Sequence, residues 1–291
     1  MNLPILFAQL VVTALLFACL YAGYRRWIVP HHFSPKARGL MLLVILTLTG
    51  GYLGSYFWAW DIEASFAWDL LPLASRLLAA AALAFGIAST MALEKPTFRR
   101  MRLVLIMLAI YLTPLLIMIP LTHLDRFDPD APITYAFFIV VIGMTLPALY
   151  FLWQQPATLP NQAEDQIPPS LLTRSWLILV AVITGLWGIA LFITDEGGSA
   201  LIWLWAGDLL TTRLIAVMLL TLAVGAATSY RYLSTSRMML AVMITYGLGG
   251  ALAAFWNTLD DKPIKYSYLI TLLVIGIISL GLFLREKPVK V

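Results

Sequence analysis

Two arginines stand inside apolar runs, where a charge is costly, and the residues around them recur. The stretch WDLLPLASR runs from Trp68 to Arg76, and 137 positions later WAGDLLTTR runs from Trp205 to Arg213. Each arginine lies about one and a half turns into a predicted helix. Its guanidinium can therefore reach the headgroups while its stem stays in lipid or protein. The chemistry open to Arg76 and Arg213 is anion coordination, because a planar bidentate donor in a partly dry site suits phosphate or carboxylate. The plainer role is a structural anchor that holds a helix start against a neighbouring loop, with Asp69 and Asp208 close in sequence at unequal spacing.

A second constellation lies deeper. YLTPLL contains Tyr111, Thr113 and Pro114, and TYGLGG contains Thr245, Tyr246, Gly247, Gly249 and Gly250. At the same offset Leu112 falls on Gly249 and Thr113 on Gly250, so helix-weakening residues occupy matching depths. Proline removes a backbone donor and crowds the preceding turn, and glycine lets a partner come close. Paired interruptions of this kind point to a ligand site in a transporter. Small residues also simply permit tight helix packing, and both roles stay open. A ligand held here would meet the neutral polar groups of Tyr111, Thr113, Thr245 and Tyr246.

Other chemistry is poorly provided for. DRFDPD (Asp125 to Asp130) and LDD (Leu259 to Asp261) form two acid-rich loops. Paired aspartates hold magnesium on a diphosphate in membrane prenyltransferases, but neither loop has that family's double Asp-rich spacing. His31 and His32 fall in one loop and His123 at the far end of another span, so neither bis-histidine haem nor a zinc site is expected. No nucleophile–base set and no glycine-rich phosphate loop occurs. No Asp, Glu, Lys or His falls in the central part of any predicted span, which disfavours a carboxylate proton relay. No metal or cofactor is expected, and the single Cys19 excludes an intrachain disulfide.

The elements that must position these residues are membrane spans. Of the 291 residues 61% are hydrophobic and 12% charged, where soluble domains carry about 25% charged residues. Nine continuous apolar runs are each long enough to cross roughly 30 Å of hydrocarbon: 4–23, 39–59, 70–93, 103–121, 132–153, 176–194, 209–230, 238–257 and 266–284. Their continuity predicts helices rather than the alternating strands of a barrel. The N-terminus lacks the basic region of a cleaved signal and reads as a retained span. Most of the 19 Lys and Arg, among them Arg25, Arg26, Arg99, Arg100, Arg102, Arg174, Arg231, Arg237 and Arg285, fall on one side. Basic loops face the cytoplasm, which predicts an N-terminus outside, a cytoplasmic C-terminus and residence in a bacterial inner or plasma membrane. The net charge of +4 is then a membrane-orientation signature, and no nucleic-acid partner is expected. Trp58, Trp60, Trp68, Trp203 and Trp205 are predicted at the outer interface, and Trp27, Trp153 and Trp176 at the inner one.

The offset extends beyond the arginines. Arg100-Met101 matches Arg237-Met238, Pro132–Tyr135 matches Pro263–Tyr266 after a six-residue deletion, and upstream Thr49-Gly50 pairs with Thr184-Gly185 at the shifted offset of 135. The chain divides into an N-terminal span and basic loop (1–38), a first four-span unit (39–155), a proline- and amide-rich linker (156–173) and a second four-span unit with a basic tail (174–291). An even number of spans makes the two copies parallel, related by an axis along the membrane normal. The pattern W-x-L-x-P-L-x-x-R, as in WDLLPLASR, resembles a motif of bacterial multi-span membrane proteins of unassigned activity built from tandem four-helix units. The resemblance covers spans two to nine and implies a fold, not an activity.

Three functions fit. The first is a non-enzymatic accessory or structural module that works with the lipid bilayer and a membrane-protein partner or a second copy. The second is a small-solute carrier or channel with a site between the units at spans four and eight. The third is an intramembrane enzyme acting on a lipid diphosphate.

Overall fold

The computed structural model describes residues 3–31, 33–60, 66–154, 159, 166–194, 209–259 and 266–286. Among these every regular element is helical: α1 (Leu3–Gly23), α2 (Pro35–Ala59), α3 (Pro72–Glu94), α4 (Phe98–Thr122), α5 (Pro132–Gln154), α6 (Leu171–Ile193), α7 (Leu209–Ser229), α8 (Leu233–Leu259) and α9 (Tyr266–Arg285). A π-helical turn, Tyr24–Ile28, follows α1, and a 3₁₀ turn, Leu124–Arg126, follows α4. Helices α2 to α9 are each long and apolar enough to cross a bilayer. The chain is an all-α integral membrane bundle, in which α1 is the ninth apolar helix.

The helices outrun the predicted spans at the basic end. Spans 103–121, 176–194 and 238–257 begin about one turn earlier, at Phe98, Leu171 and Leu233. Hydropathy locates the apolar run, whereas helix length is set by where a cap stops it. Ser34, Thr97 and Ser170 supply such caps to α2, α4 and α6, their hydroxyls accepting from the amides of Ala37, Arg100 and Thr173. Arg99, Arg100, Arg102, Arg174 and Arg237 thus lie on rigid helix rather than in loops.

Helices α3, α4, α7 and α8 form a central ring in which each packs on the next, and α2, α5, α6 and α9 lie outside, on α3, α4, α7 and α8 respectively. The cross-ring seams are α3 with α8 and α4 with α7. Exchanging α2–α5 for α6–α9 leaves this pattern of pairing unchanged. Helix α1 lies at the rim, against α2.

Lipid supplies no hydrophobic force between helices, so association rests on close packing at small residues. A Cβ on Gly51 would lie 2.6 Å from the Ala82 carbonyl oxygen of α3, and one on Gly188 would lie 3.0 Å from the Ala216 carbonyl oxygen of α7. These two glycines are 137 residues apart. So are Thr47 and Thr184, both buried, whose hydroxyls donate to the carbonyls of Leu43 and Val180. Upstream of the arginines, then, positions with matching surroundings keep the same offset, whereas Gly50, paired by sequence with Gly185, faces open space. In the second set Gly247 and Gly276 let α8 and α9 touch backbone to backbone, with a Cβ on Gly247 reaching within 2.6 Å of the Gly276 nitrogen.

A polar tie joins α6 to the end of α9. The Glu286 carboxylate accepts from the Ser170 amide at 2.8 Å and from the Thr173 hydroxyl at 2.7 Å. Burial pushes this carboxyl upward, but those hydrogen bonds and the neighbouring Arg285 outweigh it and hold it below its ordinary value.

Two measurements check this packing. Gly247→Ala drives a methyl into the α9 backbone and is expected to cost about 1–3 kcal/mol, seen as a lower thermal midpoint in detergent, while Gly50→Ala is expected to be neutral or slightly stabilising. Because the folded carboxyl of Glu286 titrates below its unfolded value near 4.3, its contribution is complete above that pH and disappears as pH falls through the folded value. Glu286→Gln should therefore lower the midpoint at pH 7, and the difference from the parent should close below about pH 4.

Candidate functional site

The WDLLPLASR stretch is a junction of four helices. Trp68 is buried at 6% exposure and packs edge-on against Phe66, Phe127 and Phe137, with ring centroids 4.4 to 5.4 Å apart. It is a core residue and not part of the interfacial belt predicted for it. The apolar neighbours that the loop after α4 and the second turn of α5 bring to it are far apart in sequence, so its aromatic character alone could not reveal this. Trp60, by contrast, is 61% exposed. Trp203 and Trp205 lie outside the described residues. Pro72 starts α3 with a preset φ and no amide to satisfy. One turn on, the Ser75 hydroxyl donates to the Trp58 carbonyl at the end of α2 at 2.8 Å.

Arg76 then projects across the α3–α8 seam, its guanidinium carbon 5.0 Å from the centre of the Trp256 ring. Arg213 does the same across the α4–α7 seam. Its Nη1 lies 3.1 Å from His123 Nε2 at the end of α4, with Phe192 of α6 on another side at 5.9 Å. A guanidinium only donates, so Nε2 accepts and the imidazole proton sits on Nδ1. Each arginine rises from the first turns of one inner helix to meet the last turn of an inner helix from the other set. Helices α3 and α4 form a tight antiparallel hairpin, which puts the start of α3 and the end of α4 at one end of the bundle. Arg213 touches that end of α4, so both arginines occupy the same end. Of the acids near them in sequence, Asp208 lies outside the described residues.

The deeper constellation is packed. Helices α4 and α8 run unbroken through Pro114 and through Gly247, Gly249 and Gly250. A Cβ on Gly249 would meet the Ala80 Cβ at 2.9 Å, and one on Gly250 would meet Leu272 at 3.0 Å and Leu77 at 3.4 Å. The two tyrosines lie near enough to interact electrostatically, and each also has a neighbour of its own. Tyr111 stacks at 5.6 Å on Phe85 of α3, whereas Tyr246, 1% exposed, pairs with Tyr268 of α9. Thr245 donates to the Ala241 carbonyl at 2.9 Å. Thr113 differs: its hydroxyl is buried and makes no hydrogen bond among the described residues.

The acid-rich loop after α4 is an Asx turn. The Asp128 carboxylate accepts from the Asp130 amide at 2.9 Å, and the Asp128 carbonyl accepts from the Thr134 hydroxyl that opens α5. Asp125, Asp128 and Asp130 are exposed, and Asp260 and Asp261 lie outside the described residues. At the other end of the bundle the aligned arginines Arg100 and Arg237 donate to the carbonyls of Met91 in α3 and Phe283 in α9, at 3.3 and 3.1 Å. Both satisfy terminal helix carbonyls, where a cation also suits the helix dipole.

Sequence reasoning left out three working partners: His123, Trp256 and Glu286. At offset 137 His123 stands opposite residue 260 and Trp256 opposite Ile119, so the offset carries no signal for either. The chemical signal was an arginine in an apolar run, which needs an acceptor or a π face within reach.

The Arg213–His123 contact has a direct energetic test. Thermal unfolding of Arg213→Gln, His123→Ala and the double variant should yield a coupling of about 1 kcal/mol. Additive effects would remove the contact from the seam.

Comparison with protein-family models, with curated proteins and with solved structures returns no match for this chain.

Proposed function

We propose that the protein is a non-catalytic membrane module: two parallel copies of a four-helix unit, preceded by one further span, that act as an accessory or structural component beside a membrane-protein partner or a second copy of the chain. In this reading the N-terminus is outside and the C-terminus cytoplasmic, in a bacterial inner membrane, as the basic loops favour. The motif WDLLPLASR supports kinship with tandem four-helix membrane proteins. Its four contacts, Trp68 to the aromatic cluster, Pro72 at the start of α3, Ser75 to α2 and Arg76 to α8, are all structural.

The observation that carries this reading is the filled seam where a solute would have to pass. Gly249 rests on Ala80 with no room for a methyl group, Tyr246 and Tyr268 are almost wholly buried, and both inner helices are continuous at that depth. Alternating-access sites are built from broken helices around a cavity. The buried hydroxyl of Thr113, without a hydrogen bond among the described residues, favours the second reading, a small-solute carrier in which this polar point opens to water.

Thiol accessibility separates the two. In a Cys19→Ser background, Thr113→Cys and Thr245→Cys are expected to resist a charged, water-borne thiol reagent in native membranes, while Arg102→Cys, at an exposed position, reacts. Rapid modification at 113 would replace the module with the carrier. Extraction in mild detergent should in turn give a complex of fixed stoichiometry, whereas a lone chain that conducts solute in vesicles would contradict the module.

A further inference from the structure

The basic end of the bundle has an apolar groove opening beside a cationic cleft. The groove lies between α6 and α7, has a volume of about 460 Å³, and is lined by Ile178, Ala181, Val182, Ala223, Val224 and Ala227, with Tyr230 at its end. It faces outward from the bundle, and every residue of its walls up to Tyr230 is aliphatic. The cleft lies between α4 and the α7–α8 turn, has a volume of about 50 Å³, and is bordered by Arg99, Arg102, Thr228, Tyr232 and Thr235 above the apolar Leu103 and Ile106.

The two depressions adjoin across the last turns of α7. Val224 of the groove and Thr228 of the cleft are four residues apart and so stand one above the other on that helix. The connecting turn joins them again. Arg231 Nε donates to the Tyr230 hydroxyl at 3.0 Å, and the Arg99 guanidinium lies 3.5 Å from the centre of the Tyr232 ring. Arg174 on α6 is one turn before Ile178 on the same face, which sets it at the mouth of the groove. Its Nε is buried and makes no hydrogen bond among the described residues.

We propose that this is a binding site for an anionic phospholipid, with the phosphate held by Arg102, Arg231 and Arg174 and one acyl chain lying in the α6–α7 groove. A guanidinium fork matches phosphate oxygens bidentately, and basic pockets between membrane helices select anionic headgroups. Charge and shape agree. The cations stand where the helices leave the hydrocarbon, and the apolar groove runs from them toward the middle of the bundle. The shared chemistry is a phosphate, and the groove makes a lipid its source.

The test uses the full chain, stripped of lipid in a neutral detergent and titrated with dioleoyl phosphatidylglycerol or dioleoyl phosphatidylcholine, with bound lipid counted by native mass spectrometry. The anionic lipid should be retained about tenfold more tightly, and Arg102→Gln/Arg231→Gln should lose about that factor, the loss expected for one charge-assisted hydrogen bond. Arg102→Gln alone, at an exposed position, should lose part of it. Equal retention of both lipids, or an equal loss in Arg25→Gln/Arg26→Gln elsewhere on the basic end, overturns the site. Ala227→Trp fills the groove without changing charge and should weaken retention of the anionic lipid. Unchanged retention in that variant overturns the lipid assignment, and displacement by inorganic phosphate would then identify a soluble phosphate as the occupant.

Discussion

The fold depends on how closely its helices approach one another. In water a groove of one or two ångströms between helices would be closed by the hydrophobic effect, but in lipid an apolar surface is as well solvated by acyl chains as by another helix. What remains is dispersion between well-fitted surfaces, and dispersion falls away steeply with distance. The glycines at the α2–α3, α6–α7 and α8–α9 contacts and the alanine-rich face of α3 remove the side chains that would hold the backbones apart. The bundle can therefore be dense, and threonines on inner and outer helices alike are turned back on their own helices. Thr47, Thr145, Thr184, Thr221 and Thr245 all donate to the carbonyl four residues earlier.

Close packing does not set which helices are neighbours, and here the arginines matter. Arg76 and Arg213 are the charges that enter the inner helices at one end, and each reaches a neighbour from the other set, a Trp256 ring in one case and a His123 nitrogen in the other. Charge in an apolar setting tolerates few arrangements, so these contacts restrict the register of the two cross-ring seams more sharply than methyl-to-methyl packing does. At the opposite end Arg100 and Arg237 instead hold carbonyls within their own sets, α4 to α3 and α8 to α9. The ring is closed by dispersion along its length and by cations between its two sets at one end. That arrangement suits a scaffold, and it directs interest toward the lipid-facing surface.

Much of the architecture was legible in order and composition. Apolar runs of span length give the number of helices, the basic residues gather at one end, and the offset between Arg76 and Arg213 leads to Gly51 and Gly188, which occupy the same position against their neighbours. Less legible were the helix starts at the basic end, where charged residues lie on helix that hydropathy cannot register. The candidate site was legible by half. Both arginines sit at one end, as their offset of 137 led one to expect, while the residues that receive them come from other helices and obey no spacing in the chain.

What the sequence by itself determined is the response of each segment to its surroundings. A run of about 20 apolar residues must satisfy its own backbone in hydrocarbon and therefore becomes a helix, and a basic loop must stay with the headgroups. What only the tertiary structure decided is the meaning of the small and polar residues inside those helices. Glycine and proline weaken a helix or admit a neighbour with equal ease, and which occurs depends on whether another backbone lies within van der Waals reach. For Gly247 and Gly249 it does. The same holds for Trp68, an interfacial residue by composition and a core residue by position, because burial is a property of the neighbours that folding brings together.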